Sequence, residues 1–285
     1  MFCKFFAHDL RHGLGDHPCR LGVGFLLFFC LSSYHFLTLR IYELTNPEFF
    51  ETPVTTGDYF LALTGGCGKV ESVPGGGTTF TMPVLWITFV LWILFASLYY
   101  PFLDLQGMGK QLLCLSGTRG VWWASKCLWT VCNTVANYLL AFAASVLAGI
   151  CFGAVPSMTA HVYLYQELEM NAGTLTSPST WDIWPLFFLT ALALVALSLL
   201  QLALSAAVKP LFSYLLLTAY LLAGTYLQSP ALLGNFAMPA RSALLAVSGL
   251  DPLLGGLLCL WVIVGSVLLG WALFEKKDIF GGDGA

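Results

Sequence analysis

Long apolar runs separated by short polar segments dominate this sequence. Six runs of 17 to 28 residues contain no Asp, Glu, Lys or Arg: 21–39, 84–100, 128–155, 183–208, 210–227 and 253–274. A helix of roughly 20 apolar residues spans a bilayer, because lipid offers the backbone no hydrogen-bond partner other than the helix itself. The pattern predicts an all-α polytopic membrane protein with six transmembrane helices.

Composition points the same way and excludes other classes of protein. Only 9% of the 285 residues are charged and 58% are hydrophobic, whereas soluble domains carry about 25% charged residues. The net charge of −3 provides no basic surface, so nucleic acid is not an expected partner. The nine cysteines are scattered. Five of them, Cys30, Cys127, Cys132, Cys151 and Cys259, lie within or directly beside apolar runs, and they are interpreted as packing residues rather than a disulfide framework.

The distribution of Lys and Arg predicts the orientation. With the N-terminus in the cytoplasm, nine of the twelve basic residues lie in cytoplasmic segments and three, Arg40, Lys69 and Arg241, lie outside. Both termini are therefore expected to be cytoplasmic.

The segments outside the runs differ in character. Residues 1–20 combine apolar and charged positions, which predicts an amphipathic helix in the membrane interface. The external segment 40–83 is rich in Gly, Thr and Pro and is expected to be a mostly irregular flap. Segment 228–252 is apolar but broken by Pro and Gly, which favours two short re-entrant helices before the last span over an irregular interfacial loop. The domain division is 1–20, the six-span domain 21–280, and a tail 281–285.

Candidate chemistry is sparse. The chain has no P-loop and no H-E-x-x-H string, so neither nucleotide binding nor metalloprotease chemistry is predicted. His8 and His12 stand four residues apart near two cysteines, but the ligand set is too incomplete to predict a metal site. Asn133, Asn137 and Gln201 lie inside apolar runs, where they either bond neighbouring helices or line a cavity.

The cytoplasmic segment 101–126 is the most polar stretch between runs. The segment, with the residue before it, contains the strings YPFLDLQG at 100–107, SGTR at 116–119 and WWASK at 122–126. Together they resemble the first cytoplasmic loop of bacterial ABC exporter permeases of the ABC-2 type. Six spans with an N-terminal interfacial helix, and the ending FEKKDI at 274–279, are similar to that family as well.

The resemblance implies that segment 101–126 carries a coupling helix that docks on an ABC ATPase subunit. The candidates for ATPase contact, or for holding the helix at the interface, are Asp104, Gln106, Lys110, Arg119 and Lys126. Trp122 and Trp123 would be interfacial anchors that set the depth of the helix. The resemblance further implies that ATP and Mg²⁺ bind to the partner ATPase and not to this chain. It also implies that a second permease subunit, identical or related, completes the transport route.

The sequence therefore predicts a non-enzymatic permease subunit in the cytoplasmic (inner) membrane of a bacterium. Its apolar interior suits a hydrophobic or amphipathic substrate, such as a peptide, a lipid or a drug. The alternative is an ion-coupled secondary carrier half or a non-transporting membrane scaffold.

Overall fold

The computed structural model describes residues 2–16, 18–45, 53–70, 72–73, 77–78, 80–107, 109–111, 113, 119–161 and 180–276. Helices dominate these residues. They are α1 (Phe2–Leu10), a π-helical turn (Arg11–Gly15), α2 (Pro18–Thr45), α3 (Thr56–Thr64), α4 (Val84–Leu98), α5 (Tyr100–Gln106), α6 (Arg119–Cys151), α7 (Trp184–Ala207), α8 (Pro210–Tyr226) and α9 (Pro252–Lys276). Two antiparallel two-stranded ribbons pair β1 (Ser72–Val73) with β2 (Gly77–Thr78), and β3 (Thr159–His161) with β4 (Thr180–Asp182).

Several helices have the length and apolarity needed to cross a membrane. Among the residues that the structure describes, four segments satisfy both conditions: Val84–Leu105, Arg119–Cys151, Trp184–Ala207 and Pro252–Lys276. The pair Phe2–Gly15 and Pro18–Tyr34, bent by 55°, satisfies them when counted as one span, which gives up to five. Helix α8 is apolar but has 17 residues. The prediction of a multi-pass helical membrane protein is confirmed, while the count of six spans stays a prediction.

The bundle has two distinct ends. At the α1 end, α1 and α5 pack against the start of α6 and the C-terminal end of α9. Tyr100 on α5 donates a hydrogen bond to Asp9 on α1. Trp122 on α6 stacks on Phe274 on α9. At the α3 end lie α3, the β3–β4 ribbon and the segment between α8 and α9. Beside the α3 end, aromatic rings from three elements pack together in the core. Phe60, Tyr138 and Phe187 pack with centroid separations of 4.9 to 6.0 Å.

The expectation of a mostly irregular flap at 40–83 is wrong for much of that segment. Helix α2 continues to Thr45, and α3 is a fully buried helix within the flap. Local sequence explains α3: the Thr55 side chain accepts from the Asp58 N–H while the Asp58 carboxylate accepts from the Thr55 N–H. This reciprocal capping box satisfies N–H groups that would otherwise lack partners, so an apolar helix can be buried. Residues 46–52 of the flap lie outside the described part.

The predicted re-entrant helix pair at 228–252 is not confirmed. The segment instead contains two 3-10 turns, Leu233–Ala237 and Pro239–Arg241, both buried. Trp86 on α4 donates a hydrogen bond to the Ala237 carbonyl over 2.8 Å. The apolar character of the segment is therefore explained by packing inside the protein.

Close packing at the start of α9 generates a prediction about adjacent glycines. A Cβ added at Gly255 would lie 2.3 Å from the buried Phe236 ring, whereas one at Gly256 would meet nothing within 4 Å. We expect Gly255→Ala to destabilise the protein by about 1–3 kcal/mol through overpacking, and Gly256→Ala to be neutral or to stabilise it by up to about 1 kcal/mol through helix propensity. Unfolding of the detergent-purified variants, followed by tryptophan fluorescence, measures both. Equal changes for the two variants would contradict the packing.

Candidate functional site

A buried cluster of charged side chains joins three elements at the α1 end. Lys126, on the second turn of α6, is fully buried, and so is Asp9 near the end of α1. The Lys126 ammonium group forms ion pairs with Asp9 and, over 2.7 Å, with Asp104 on α5. We call Asp9, Asp104 and Lys126 the inner charge cluster.

Neighbouring side chains complete the hydrogen bonding of both carboxylates. Asp9 accepts from the Tyr100 hydroxyl over 2.9 Å and from the Ser125 hydroxyl. Asp104 lies 3.4 Å from both the Trp122 indole N–H and His8 Nε2. Polar atoms thus surround charges that would otherwise be costly to bury.

Aromatic rings surround the ammonium group as well. Lys126 Nζ lies 4.8 Å from the centroid of the Tyr100 ring and 5.1 Å from that of Trp122, both within cation–π range. Removing one partner of a buried ion pair is strongly destabilising, although the intact pair adds little net stability. The cluster therefore fixes how α1, α5 and α6 are arranged relative to one another.

The acidic groups of this cluster, together with His8, have the spacing of a possible metal site. Ligand atoms of His8, Asp9 and Asp104 all lie within 4.8 Å of one another. However, the Lys126 ammonium contacts both carboxylates, so these anions already have a cation. The arrangement is an internal ion-pair network.

The structure brings together some of the predicted coupling residues and separates others. Asp104 and Lys126 are enclosed in the cluster, so Lys126 does not extend to the interface as a surface anchor. Arg119 donates to the Glu275 carbonyl, which ties the start of α6 to the last turn of α9. Lys110 is half-buried. Gln106 ends α5, and its side chain lies outside the described part.

The two predicted interfacial anchors face the protein interior. Trp122 and Trp123 are only 3% and 4% exposed. Trp122 stacks on Phe274 at 4.6 Å, and the Trp123 indole donates to the Val267 carbonyl over 2.9 Å. Helix α9 covers both rings, and the role of the two tryptophans in setting the depth of the helix stays a prediction.

Two of the three predicted intramembrane amides join neighbouring helices, whereas Asn137 bonds only within α6. Asn133, Asn137 and Gln201 are all buried. Asn133 accepts from Arg20 on α2 over 3.1 Å, and Asn137 donates to the Asn133 carbonyl over 2.8 Å. Gln201 on α7 donates to the Leu94 carbonyl on α4 over 3.2 Å. Of the two interpretations that the sequence left open, these contacts favour helix packing.

A second polar site lies at the α3 end, and sequence reasoning missed it. The Asp58 carboxylate accepts from the His161 backbone N–H over 2.7 Å and lies 2.9 Å from His161 Nδ1. The hydrogen bond to Asp58 raises the pKa of His161, against the opposing effect of burial. The capping-box spacing at 55–58 was an available signal for Asp58, but nothing local links it to a histidine 103 residues away.

Sequence reasoning also missed the burial of Arg241. The sequence predicts this residue in an external segment, and the structure shows that it is only 1% exposed. Its guanidinium donates to the Cys67 and Thr225 carbonyls, over 3.0 and 2.5 Å, and to the Asn235 side chain. Burial lowers the pKa of Arg241, with the nearby Cys67 thiol acting in the opposite direction. An arginine within an apolar, Pro-broken segment is the sequence signal for such a buried cation.

Comparison of the chain with protein-family models, with curated proteins and with solved structures finds no match in any of the three. The fold defines a helical multi-pass membrane protein. The resemblance to exporter permeases stays a prediction.

The inner charge cluster generates a stability prediction. We expect Lys126→Met to destabilise the protein by about 3–5 kcal/mol, because it leaves Asp9 and Asp104 buried without a cation. Lys4→Met removes an exposed lysine of α1 and should leave the unfolding transition unchanged. Denaturant unfolding in detergent distinguishes the variants. A Lys126→Met transition that coincides with that of Lys4→Met would show that the ion pairs do not fix the fold.

The Asp58–His161 pair predicts a pH dependence with a definite sign. Because the pKa of His161 is raised by folding above an unfolded value of about 6.5, its contribution to stability is complete below that pH. It is lost as the pH rises through the folded pKa. We expect the thermal midpoint of the wild type to fall between about pH 6 and pH 9 by more than that of His161→Gln, measured by scanning fluorimetry. Parallel profiles would contradict the assignment.

Proposed function

We propose that this chain is the transmembrane permease subunit of an ATP-driven exporter. In this proposal six helices cross the cytoplasmic membrane of a bacterium, with both termini in the cytoplasm. A separate ABC ATPase subunit binds ATP and Mg²⁺ and docks at the α1 end. A second permease subunit faces this one across the transport route, and the substrate is hydrophobic or amphipathic.

The observation that carries the proposal is the inner charge cluster. It links α5, which begins the segment between the second and third predicted spans, to the base of α6 and to α1. A partner that displaces α5 would therefore move α6 and α1 with it, since separating them means separating buried charges. Mechanical coupling of a soluble motor to membrane helices requires such a link.

The cluster changes the roles that we assign within segment 101–126. Asp104 and Lys126 are positioning residues, because their charged groups face one another inside the protein. Contact with the ATPase is assigned to exposed positions nearby. Leu103 on α5 is 58% exposed, and Gln111 is exposed as well.

The pairing of two permease subunits is supported by the surface of α9. This helix is the least buried of the four long apolar segments, with 22% of its most apolar stretch inside the protein against 72% for α7. Leu253 and Trp261 are 77% and 75% exposed. Such a face packs against lipid or against a second subunit.

The alternative of an ion-coupled carrier is less well supported. Among the described residues, the buried carboxylates stand at the two ends of the bundle, Asp9 and Asp104 at one and Asp58 at the other. A carrier driven by protons or sodium needs ionisable groups along its path. A non-transporting scaffold does not require α5 and α6 to move together, so the rigid link between them does not support the scaffold alternative.

Purification of the intact complex tests the proposal. The tagged full-length chain, extracted from the membranes of its source cells in mild detergent, should carry a P-loop ATPase in stoichiometric amount. The complex should hydrolyse ATP in a Mg²⁺-dependent manner. Mass spectrometry and phosphate release measure the two properties. Recovery of the chain without an ATPase would contradict the proposed function.

A pair of variants tests the docking assignment separately. We expect Leu103→Asp to abolish recovery of the ATPase while the chain still folds, because a charge replaces an exposed apolar contact. Leu44→Asp places the same change on an exposed residue of α2 at the α3 end and should retain the ATPase. Unchanged recovery with Leu103→Asp would remove α5 from the docking surface.

A further inference from the structure

An amphipathic pocket lies at the α1 end, between the start of α2 and the end of α4. Its volume is about 370 Å³. The polar lining comes from Asp16, Cys19 and Arg20, and the remaining walls include Pro18, Phe95 and Tyr99. Neither the inner charge cluster nor the proposed ATPase contact uses this pocket.

Arg20 enters the pocket with unused hydrogen-bonding capacity. Its Nη2 group donates to the Gly13 carbonyl over 2.9 Å and to Asn133 over 3.1 Å. Its Nη1 group makes no hydrogen bond to a described residue, while its Nε–H is enclosed by the protein. Within the described part of the chain, no carboxylate lies within ion-pair distance of Arg20. The guanidinium is therefore a partly buried cation with no anion of its own.

The one carboxylate in the pocket lining is already engaged. Asp16 Oδ2 lies 2.5 Å from His12 Nδ1, and both side chains are about half exposed. The Asp16 carboxylate thus has an exposed hydrogen-bond partner, while Arg20 is less exposed than Asp16 and contacts Asn133 on α6.

The surroundings of the pocket indicate what kind of anion it takes. Val23 and Leu26, on the first turns of α2 beyond the pocket, are 54% and 63% exposed, and Phe95 on α4 is 46% exposed. Exposed apolar side chains on a membrane-spanning helix contact lipid, so we expect the pocket to open toward lipid as well as toward water. A ligand with an anionic head and an apolar tail satisfies both parts.

We propose that the Arg20 pocket binds the phosphate group of a membrane phospholipid, with an acyl chain lying along α2 and α4. Arginine suits this role because its planar guanidinium donates in parallel to phosphate oxygens. Basic pockets between helices at the membrane surface bind lipid headgroups in this way. The inference is independent of the proposed exporter function, since it needs only the pocket and a bilayer.

Cys19 provides a reporter for occupancy. It is an exposed cysteine in the pocket wall, and Cys3 on α1 is an exposed cysteine outside it. The delipidated full chain in a neutral detergent is treated with N-ethylmaleimide, and peptide mass spectrometry follows each site. With dioleoyl phosphatidate at ten times its dissociation constant, alkylation of Cys19 should slow by about tenfold, while alkylation of Cys3 stays constant.

Two further ligands identify the part of the lipid that binds. Dioleoylglycerol, which has the same acyl chains without phosphate, should give no protection. Inorganic phosphate at the same concentration should give none either. Equal protection by dioleoylglycerol would overturn the role of Arg20 and phosphate, and equal protection by inorganic phosphate would overturn the assignment to a lipid.

Arginine variants complete the test. Arg20→Gln should abolish protection of Cys19 by phosphatidate, Arg20→Lys should retain part of it, and Arg11→Gln, at an exposed arginine on the preceding turn, should leave it unchanged. Gel filtration checks that each variant is folded. A folded Arg20→Gln variant with full protection would overturn the proposal. If Arg20→Gln does not fold, the comparison of phosphatidate with dioleoylglycerol on the wild type decides the matter.

Discussion

The arrangement at the α1 end depends on one buried ammonium group. Lys126 reaches Asp9 and Asp104 from a third element, and none of these charges is tolerable in the interior without the others. Helix α1, α5 and the base of α6 must therefore meet in one way. The aromatic rings around them, and the cover that α9 provides for Trp122 and Trp123, follow from that meeting.

The opposite end accommodates a buried cation by a different route. Arg241 has backbone carbonyls and an amide as acceptors, and three of those carbonyls, from Gly224, Thr225 and Leu227, belong to the C-terminal end of α8. Carbonyls at a helix C-terminus lack partners within the helix and carry partial negative charge. Arg241 thereby joins α8 to the 3-10 turns and to the chain after α3. Each end of the bundle is fixed by polar contacts, while the middle is packed by aromatic and aliphatic side chains.

The long apolar helices differ in how much of their surface is buried inside the protein. Helix α7 is surrounded by other helices, whereas α9 exposes most of its apolar side chains. Hydropathy is similar for the two segments, at 2.4 each, so composition does not distinguish a central helix from a peripheral one. The Arg20 pocket lies where such peripheral surface meets the polar α1 end, and this position makes an amphipathic ligand the natural occupant.

The sequence by itself determined the class of protein, because apolar runs without charged residues have no stable alternative to membrane helices. It also located the helices α4, α7, α8 and α9 to within two residues, whereas α6 begins nine residues before the predicted run at 128–155. Only the tertiary structure decided which polar residues meet: Asp9 lies 117 positions from Lys126, and Asp58 lies 103 from His161. Local patterns carry no record of such pairs, since a charged residue beside an apolar run looks the same whether it faces water or a buried partner. That is why the sequence alone could not show that the side chains of Lys126, Trp122 and Trp123 are buried.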